Sequence, residues 1–144
     1  MPQSEPAAAL PAADPGAHAR LLGAIRFDAR GLVPAIAQQH DTGEVLMLAY
    51  MDRAAVAETL ATGRASYFSR SRGTLWRKGE TSGQVQRLVD LRVDCDGDTL
   101  LVLVEQTGVA CHTGRRSCFF VALRDGQVTK ISQPEVDPRT LYRG

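Results

Sequence analysis

The sequence predicts a single-domain α+β fold, mostly antiparallel strands with one clear short helix, and three features of the 144-residue chain carry that prediction. Two Asp-Gly pairs, Asp96-Gly97 and Asp125-Gly126, each sit between β-rich runs, which is a strong hairpin signal. One alanine-rich run, Arg53–Ala61, has Asp52 before it and Gly63 after it, the pattern of an N-cap and a glycine stop. The rest of the body consists of short apolar runs separated by turn-forming residues, which favours strands over long helices.

Taken in order, residues Met1–His18 form an Ala/Pro tract with little to pack and are expected to be a disordered tail. The folded domain is expected over 19–132. Val33–Gln39 and Glu44–Ala49 flank His40-Asp41-Thr42-Gly43 and read as strand, tight turn and strand. Ala65–Ser69 suits a further strand. Ser71–Gly83 is polar and rich in Gly, Ser and Thr, and reads as a long loop of the kind that often carries function. Val85–Val93 pairs with Thr99–Gln106 around the first Asp-Gly, and Cys118–Leu123 with Val128–Ser132 around the second. The segment 133–144 is polar, contains proline, and is expected to be a loose end.

The 17 basic residues are offset by 16 acidic ones, for a net charge of +1, so the balance points to neither a nucleic-acid nor a membrane partner. No apolar run approaches the ~20 residues that span a bilayer. The N-terminus lacks the basic and apolar regions of a secretory signal, and a cytoplasmic setting is expected. Three cysteines are too few for a disulfide framework and are expected to be free thiols.

Cys95, Cys111 and Cys118 are not spaced as in a zinc ribbon, but each lies in polar, turn-forming sequence where a core thiol is out of place. The bland alternative is three buried small hydrophobes. If the thiols share one ion, soft thiolates favour Zn²⁺. His112 directly follows Cys111, so both side chains reaching one ion is awkward. Three thiolates with a fourth position for water fit better, leaving His112 nearby as a proton acceptor.

Asp94, Asp96 and Asp98 alternate, and in an extended segment they would share one face with Cys95 on the other. Three close carboxylates suit a hard divalent cation, Mg²⁺ in preference. The alternative is a solvated turn that merely favours Asp and Gly. An EF-hand loop is rejected, because its sixth position would be Thr99 and its flanks are strand-like. The basic, Gly-rich stretch Arg70–Gly83 suits phosphate, although each of its residues alone reads equally well as solvated surface. Trp76 could stack on a base or anchor the loop to the core. Arg115 and Arg116 add two cations beside the thiols.

Together these segments resemble the phosphoribosyl-AMP cyclohydrolases. The resemblance rests on Thr42–Met51, on Ser69–Arg72 with Leu75–Gly83, on Asp94–Asp98, and on Cys111–Phe119; it spans roughly Phe27 to Ser132. It implies zinc-dependent hydrolysis of the N1–C6 bond of the adenine in 1-(5-phosphoribosyl)-AMP, a step of histidine biosynthesis. It further implies Zn²⁺ on Cys95, Cys111 and Cys118 and Mg²⁺ on Asp94, Asp96 and Asp98. Members of the family are intertwined homodimers, with Cys95 of one subunit joining Cys111 and Cys118 of the other. His112 is the expected general base and proton shuttle. Arg72, Trp76, Lys78, Thr81, Ser82 and Arg115 are the expected substrate contacts. Some relatives carry a fused pyrophosphohydrolase domain, which this chain is expected to lack. His18 and His40 lie outside the motifs and are expected to face solvent. A contrasting expectation is a zinc-stapled binding module with a closed four-ligand site and no turnover.

Overall fold

Where an apolar residue recurs at every second position the chain forms strands, and these strands set the architecture. The computed structural model describes residues 15–141. Its elements run α1 (Pro15–Gly23), β1 (Leu32–Gln39), β2 (Val45–Asp52), α2 (Arg53–Thr62), β3 (Ser66–Ser69), β4 (Thr74–Arg77), β5 (Gln86–Val93), β6 (Leu100–Gln106), β7 (Val121–Arg124), β8 (Gln127–Lys130) and α3 (Pro138–Leu141). Six strands form one sheet in the order β4-β3-β2-β1-β6-β5. All neighbours are antiparallel except β1 and β6, which run parallel.

The sheet curls until its far edge meets the chain ahead of β3. Ala65 N–H donates to Gln86 O at 2.9 Å and Leu88 N–H to Gly63 O at 2.7 Å, so β5 is paired on both sides at this end. The enclosed face carries Val33, Ala35 and Ala37 of β1, Leu88 of β5, and Leu100, Val102 and Val104 of β6, all inaccessible to solvent. These pack with Ala55 and Val56 of α2 and Tyr67 of β3 in one core. The parallel register places Ala35 beside Leu100 and Ala37 beside Val102, small against large.

α2 has the predicted caps. The Asp52 carboxylate accepts Ala55 N–H at 2.8 Å, and Gly63 closes the helix at φ 73°. The predicted β1–β2 and β5–β6 hairpins form with ends shifted by a few residues, the ordinary uncertainty of strand ends.

Three features depart from expectation. The stretch 71–83 is not all loop, because Thr74–Arg77 pairs with β3 as β4. Its Leu75 and Trp76 are β-formers whose signal is masked by polar neighbours. Of the tail expected to be disordered, residues 1–14 lie outside the described residues, and Pro15–His18 begin α1, with proline at the first helical position. Of the segment expected to be a loose end, residues 142–144 lie outside the described residues, and the part before them is tied down: Glu135 N–H donates to Gly114 O at 2.8 Å, and Leu141 is buried. The β7–β8 hairpin, turned by Asp125 at φ 52° and Gly126 at φ 76°, stands apart as a second sheet. Its Val121, Leu123 and Val128 are 60%, 71% and 79% exposed.

Candidate metal and nucleotide site

Cys111 and Cys118 lie at the two ends of a tight loop beyond β6. Cys111–Gly114 is a turn closed by Gly114 N–H to Cys111 O at 3.0 Å, with His112 exposed at its corner. Below the turn, Cys111 N–H bonds Arg115 O at 3.1 Å and Ala110 N–H bonds Arg116 O at 3.0 Å. β2 pairs with β3 only at Tyr50 and Phe68, which leaves the first half of β2 open on that side. The loop uses this opening: Cys118 N–H donates to Leu46 O at 2.7 Å and Ser117 Oγ to Val45 O at 2.7 Å.

The two thiols are neighbours. Burial first, and the adjacent Cys111 second, push the Cys118 thiol up to about 12. The residue as a whole is exposed, but desolvation acts on its inward-turned sulfur. Thr113 Oγ1 lies 3.1 Å from the Cys111 sulfur and donates to it, as it would to a thiolate. Lys78 is 6% exposed, gives its Nζ proton to Ala110 O at 3.1 Å, and lies 5.5 Å from the Trp76 ring centre. Burial lowers its pKa, and the nearby Cys118 and Cys111 act in the opposite direction. This donor set fits a soft cation: two adjacent sulfurs, a hydroxyl donor and a buried ammonium to balance thiolate charge.

A chain of buried amides holds the loop from behind. Tyr67 OH donates to Gln86 Oε1 at 2.6 Å, and Gln86 Nε2 donates to Gln106 Oε1 at 2.8 Å. Gln106 Nε2 reaches Thr107 O at 2.7 Å and Val109 O at 3.2 Å. Arg116, expected as a cation beside the thiols, brackets the loop to the β1–β2 turn. Its guanidinium donates to Gln39 Oε1 at 2.7 Å, Glu44 Oε1 at 3.1 Å and Gly108 O at 2.9 Å. His40 is likewise not solvated: it is half-buried, with Nε2 2.9 Å from Glu105 Oε1. Asp41 lies close to this pair, but Gln39 Nε2 already bonds both carboxylates.

Cys95 stands at the other end of β6, separated from Cys111 by a strand of roughly 20 Å at ~3.3 Å per residue. Asp94–Thr99 is a turn and not an extended run, which corrects the alternating-face expectation. Asp94 Oδ1 accepts Asp96 N–H at 3.1 Å and Asp98 N–H at 3.2 Å, wrapping the chain around one carboxylate. The ligating atoms of Asp94, Cys95 and Asp96 therefore lie within 4.8 Å of one another, all three residues being exposed. Partial desolvation works to raise the Asp94 carboxyl, but hydrogen bonds from Asp98 and from three backbone N–H groups outweigh it and hold it low. Asp98 is raised, first by sharing a hydrogen bond with Asp94. Arg26 N–H fixes the turn through Gly97 O at 2.7 Å, and Asp28 joins Asp96 and Asp98 in lining one cavity. Asp28 escaped the sequence reading because nothing local marks it.

The basic stretch lines three clefts: one, of about 550 Å³, is lined by Arg77, Lys78 and Glu80, and the other two meet at Arg72 and Trp76. The first of these two, of about 430 Å³, is also lined by Tyr50, Ser69 and Arg70, with the Arg70 guanidinium 4.0 Å from the Tyr50 ring centre. The other, of about 250 Å³, is lined by Arg77, Thr81 and Ser82. Trp76 also anchors the loop, its ring 5.7 Å from that of Tyr67. Arg70 was read as the start of the basic stretch and Tyr50 only as part of a motif; their pairing was not foreseen, since only folding of β2 beside β3 brings them together. Lys78 and Arg115, expected beside substrate, both direct hydrogen bonds to backbone carbonyls, those of Ala110 and Ser132.

Fold and site thus define a small curled-sheet protein with paired thiols beside a basic, aromatic-lined cleft. A family model described as phosphoribosyl-AMP cyclohydrolase matches residues 47–120. A relative of that name from Granulibacter bethesdensis is 73% identical over 119 residues, covering 82% of this chain and 93% of its own length. Another, from Paramagnetospirillum magneticum, is 65% identical over 125 residues, covering 87% of this chain and 95% of its own. The chain belongs to the phosphoribosyl-AMP cyclohydrolase family.

Proposed function

We propose that this protein opens the adenine ring of 1-(5-phosphoribosyl)-AMP at the N1–C6 bond, in histidine biosynthesis, with Zn²⁺ held by Cys111 and Cys118 of one subunit and Cys95 of a second. The family assignment makes the chain a hydrolase of this class. One observation carries the site: Trp76 lines the two clefts it shares with Arg72, Lys78 lies over its ring, and Lys78 Nζ bonds Ala110, the residue next to Cys111. Substrate cleft and thiol pair are therefore joined through one aromatic and one buried ammonium.

When bound, zinc supplies a Lewis acid and lowers the pKa of water towards ~7. His112, at the exposed corner of the turn beside Cys111, accepts the proton of the attacking water. The water oxygen bonds to C6 and becomes the carboxamide oxygen, while its second proton passes to the exocyclic nitrogen, which changes from imine to the carboxamide NH2. The N1–C6 bond breaks, and His112 returns the proton to N1, now part of the formimino group. Arg72, with Thr81 and Ser82 on one side and Ser69 and Arg70 on the other, offers donors for the phosphates. Trp76 presents a face to the purine.

Asp94, Asp96 and Asp98 would hold Mg²⁺, a hard cation suited to a turn of exposed carboxylates. Homodimer formation is supported by the exposed apolar residues of β7–β8, together with Phe119 at 54% and Leu48 at 45% exposure. Three free thiols support a reducing, cytoplasmic setting. Among the described residues, no helix is long and apolar enough to cross a membrane.

The test is ultraviolet absorbance of the purified protein with substrate. Ring opening that a chelator abolishes and zinc restores is expected. Stoichiometric zinc without turnover would instead identify a metal-stapled binding module.

A further inference from the structure

The segment 132–136 crosses the thiol loop at Gly114 and Arg115. Glu135 N–H donates to Gly114 O at 2.8 Å, and Val136 N–H approaches the same oxygen at 3.3 Å. Gly114 has φ 86°, and a Cβ at this position would stand 2.0 Å from Val136 O. Only glycine admits the crossing chain so closely. Arg115 is 7% exposed; its Nε donates to Ser132 O at 2.9 Å, and its guanidinium carbon lies 3.9 Å from the Phe120 ring centre. Ile131 N–H to Phe120 O, at 2.8 Å, fastens the start of the segment to the same ring-bearing residue.

We propose that Arg115 is a positioning residue: with Gly114 and Phe120 it fastens residues 132–136 as a strap that sets the shape of the loop carrying Cys111 and Cys118. The route is short. Arg115 O accepts Cys111 N–H, so displacing the Arg115 backbone displaces the metal-binding end of the loop directly. Among the described residues no carboxylate pairs with Arg115. One face of its guanidinium is covered by Phe120 and its Nε is used by the strap, which suits a clamp better than a phosphate contact. Residues 132–136 are thereby part of the site.

The experiment uses full-length Arg115→Lys and Phe120→Leu proteins. Lysine keeps the charge that a phosphate contact needs but loses the planar stack and the Nε geometry. Leucine leaves the cation and removes its platform. Amide hydrogen exchange of residues 110–116 in the metal-free proteins is read first. Zinc affinity by chelator competition follows, then the split between KM and kcat. The strap predicts faster exchange in both variants, about 10- to 100-fold weaker zinc binding, and an unchanged KM in zinc-loaded protein. Gly114→Ala should show the same faster exchange. Unchanged exchange in both Arg115→Lys and Phe120→Leu overturns the proposal, as does a raised KM with wild-type zinc affinity. The zinc arm rests on the zinc reading above, whereas exchange does not: wild-type protein that binds no zinc would defeat that reading alone.

Discussion

The two ends of β6 carry cysteine in opposite settings. Beyond its C-terminal end, Cys111 sits in a loop held by backbone bonds, by the Tyr67–Gln86–Gln106 chain, by Arg116 and by the 132–136 strap. Before its N-terminal end, Cys95 stands in an exposed turn among three aspartates, braced mainly through Gly97. One end is built into the domain and the other is exposed. Under the proposed function, a site divided in this way would be complete only when two copies meet.

The contrast is broken if the two ends respond alike to substitution. Tyr67→Phe leaves Gln86 Oε1 buried without its donor and should cost about 1–3 kcal/mol in urea unfolding. Asp98→Asn in metal-free protein should change stability by no more than ~0.5 kcal/mol, because the turn is solvated. Equal losses would mean that the exposed turn is as deeply built in as the loop.

A smaller effect sharpens the same contrast by pH. The folded Cys118 thiol keeps its proton to about 12, against an ordinary value of 9.0, so its contribution is fully present below pH 9. Above pH 9 the unfolded chain ionises first, and stability falls as pH rises towards 12. In chelator-treated protein, the fall in unfolding midpoint between pH 8.5 and 10.5 should be shallower for Cys118→Ser than for wild type. Parallel profiles would place the sulfur in solvent.

Local signals in the sequence located most of the fold. Asp52 and Gly63 bounded α2, and the Asp-Gly pairs placed both hairpins, because caps and tight turns depend on a few adjacent residues. β4 was hidden by its short length and polar flanks. The parallel pairing of β1 with β6, and the closure of β5 onto residues 63–65, join parts of the chain far apart in sequence and leave no local mark. The site divides the same way. Polar, turn-forming context marked the cysteines and aspartates residue by residue, whereas the inward turn of Lys78, the bracket made by Arg116 and the meeting of Tyr50 with Arg70 depend on tertiary contact. The aspartate pattern misled because Asp94 bonds its own following N–H groups and so curls a segment that alternation alone would leave extended.

The proposed division of the site between two copies is tested most directly by mixing Cys95→Ser and Cys118→Ser proteins, each expected to be inactive alone, after co-refolding. A hybrid pair would carry one intact set of three sulfurs, donated by both chains. Random pairing should then restore about a quarter of wild-type turnover, since half the dimers hold one working site of two. A mixture as inactive as its components, with hybrid dimers present, would contradict a metal centre shared between copies.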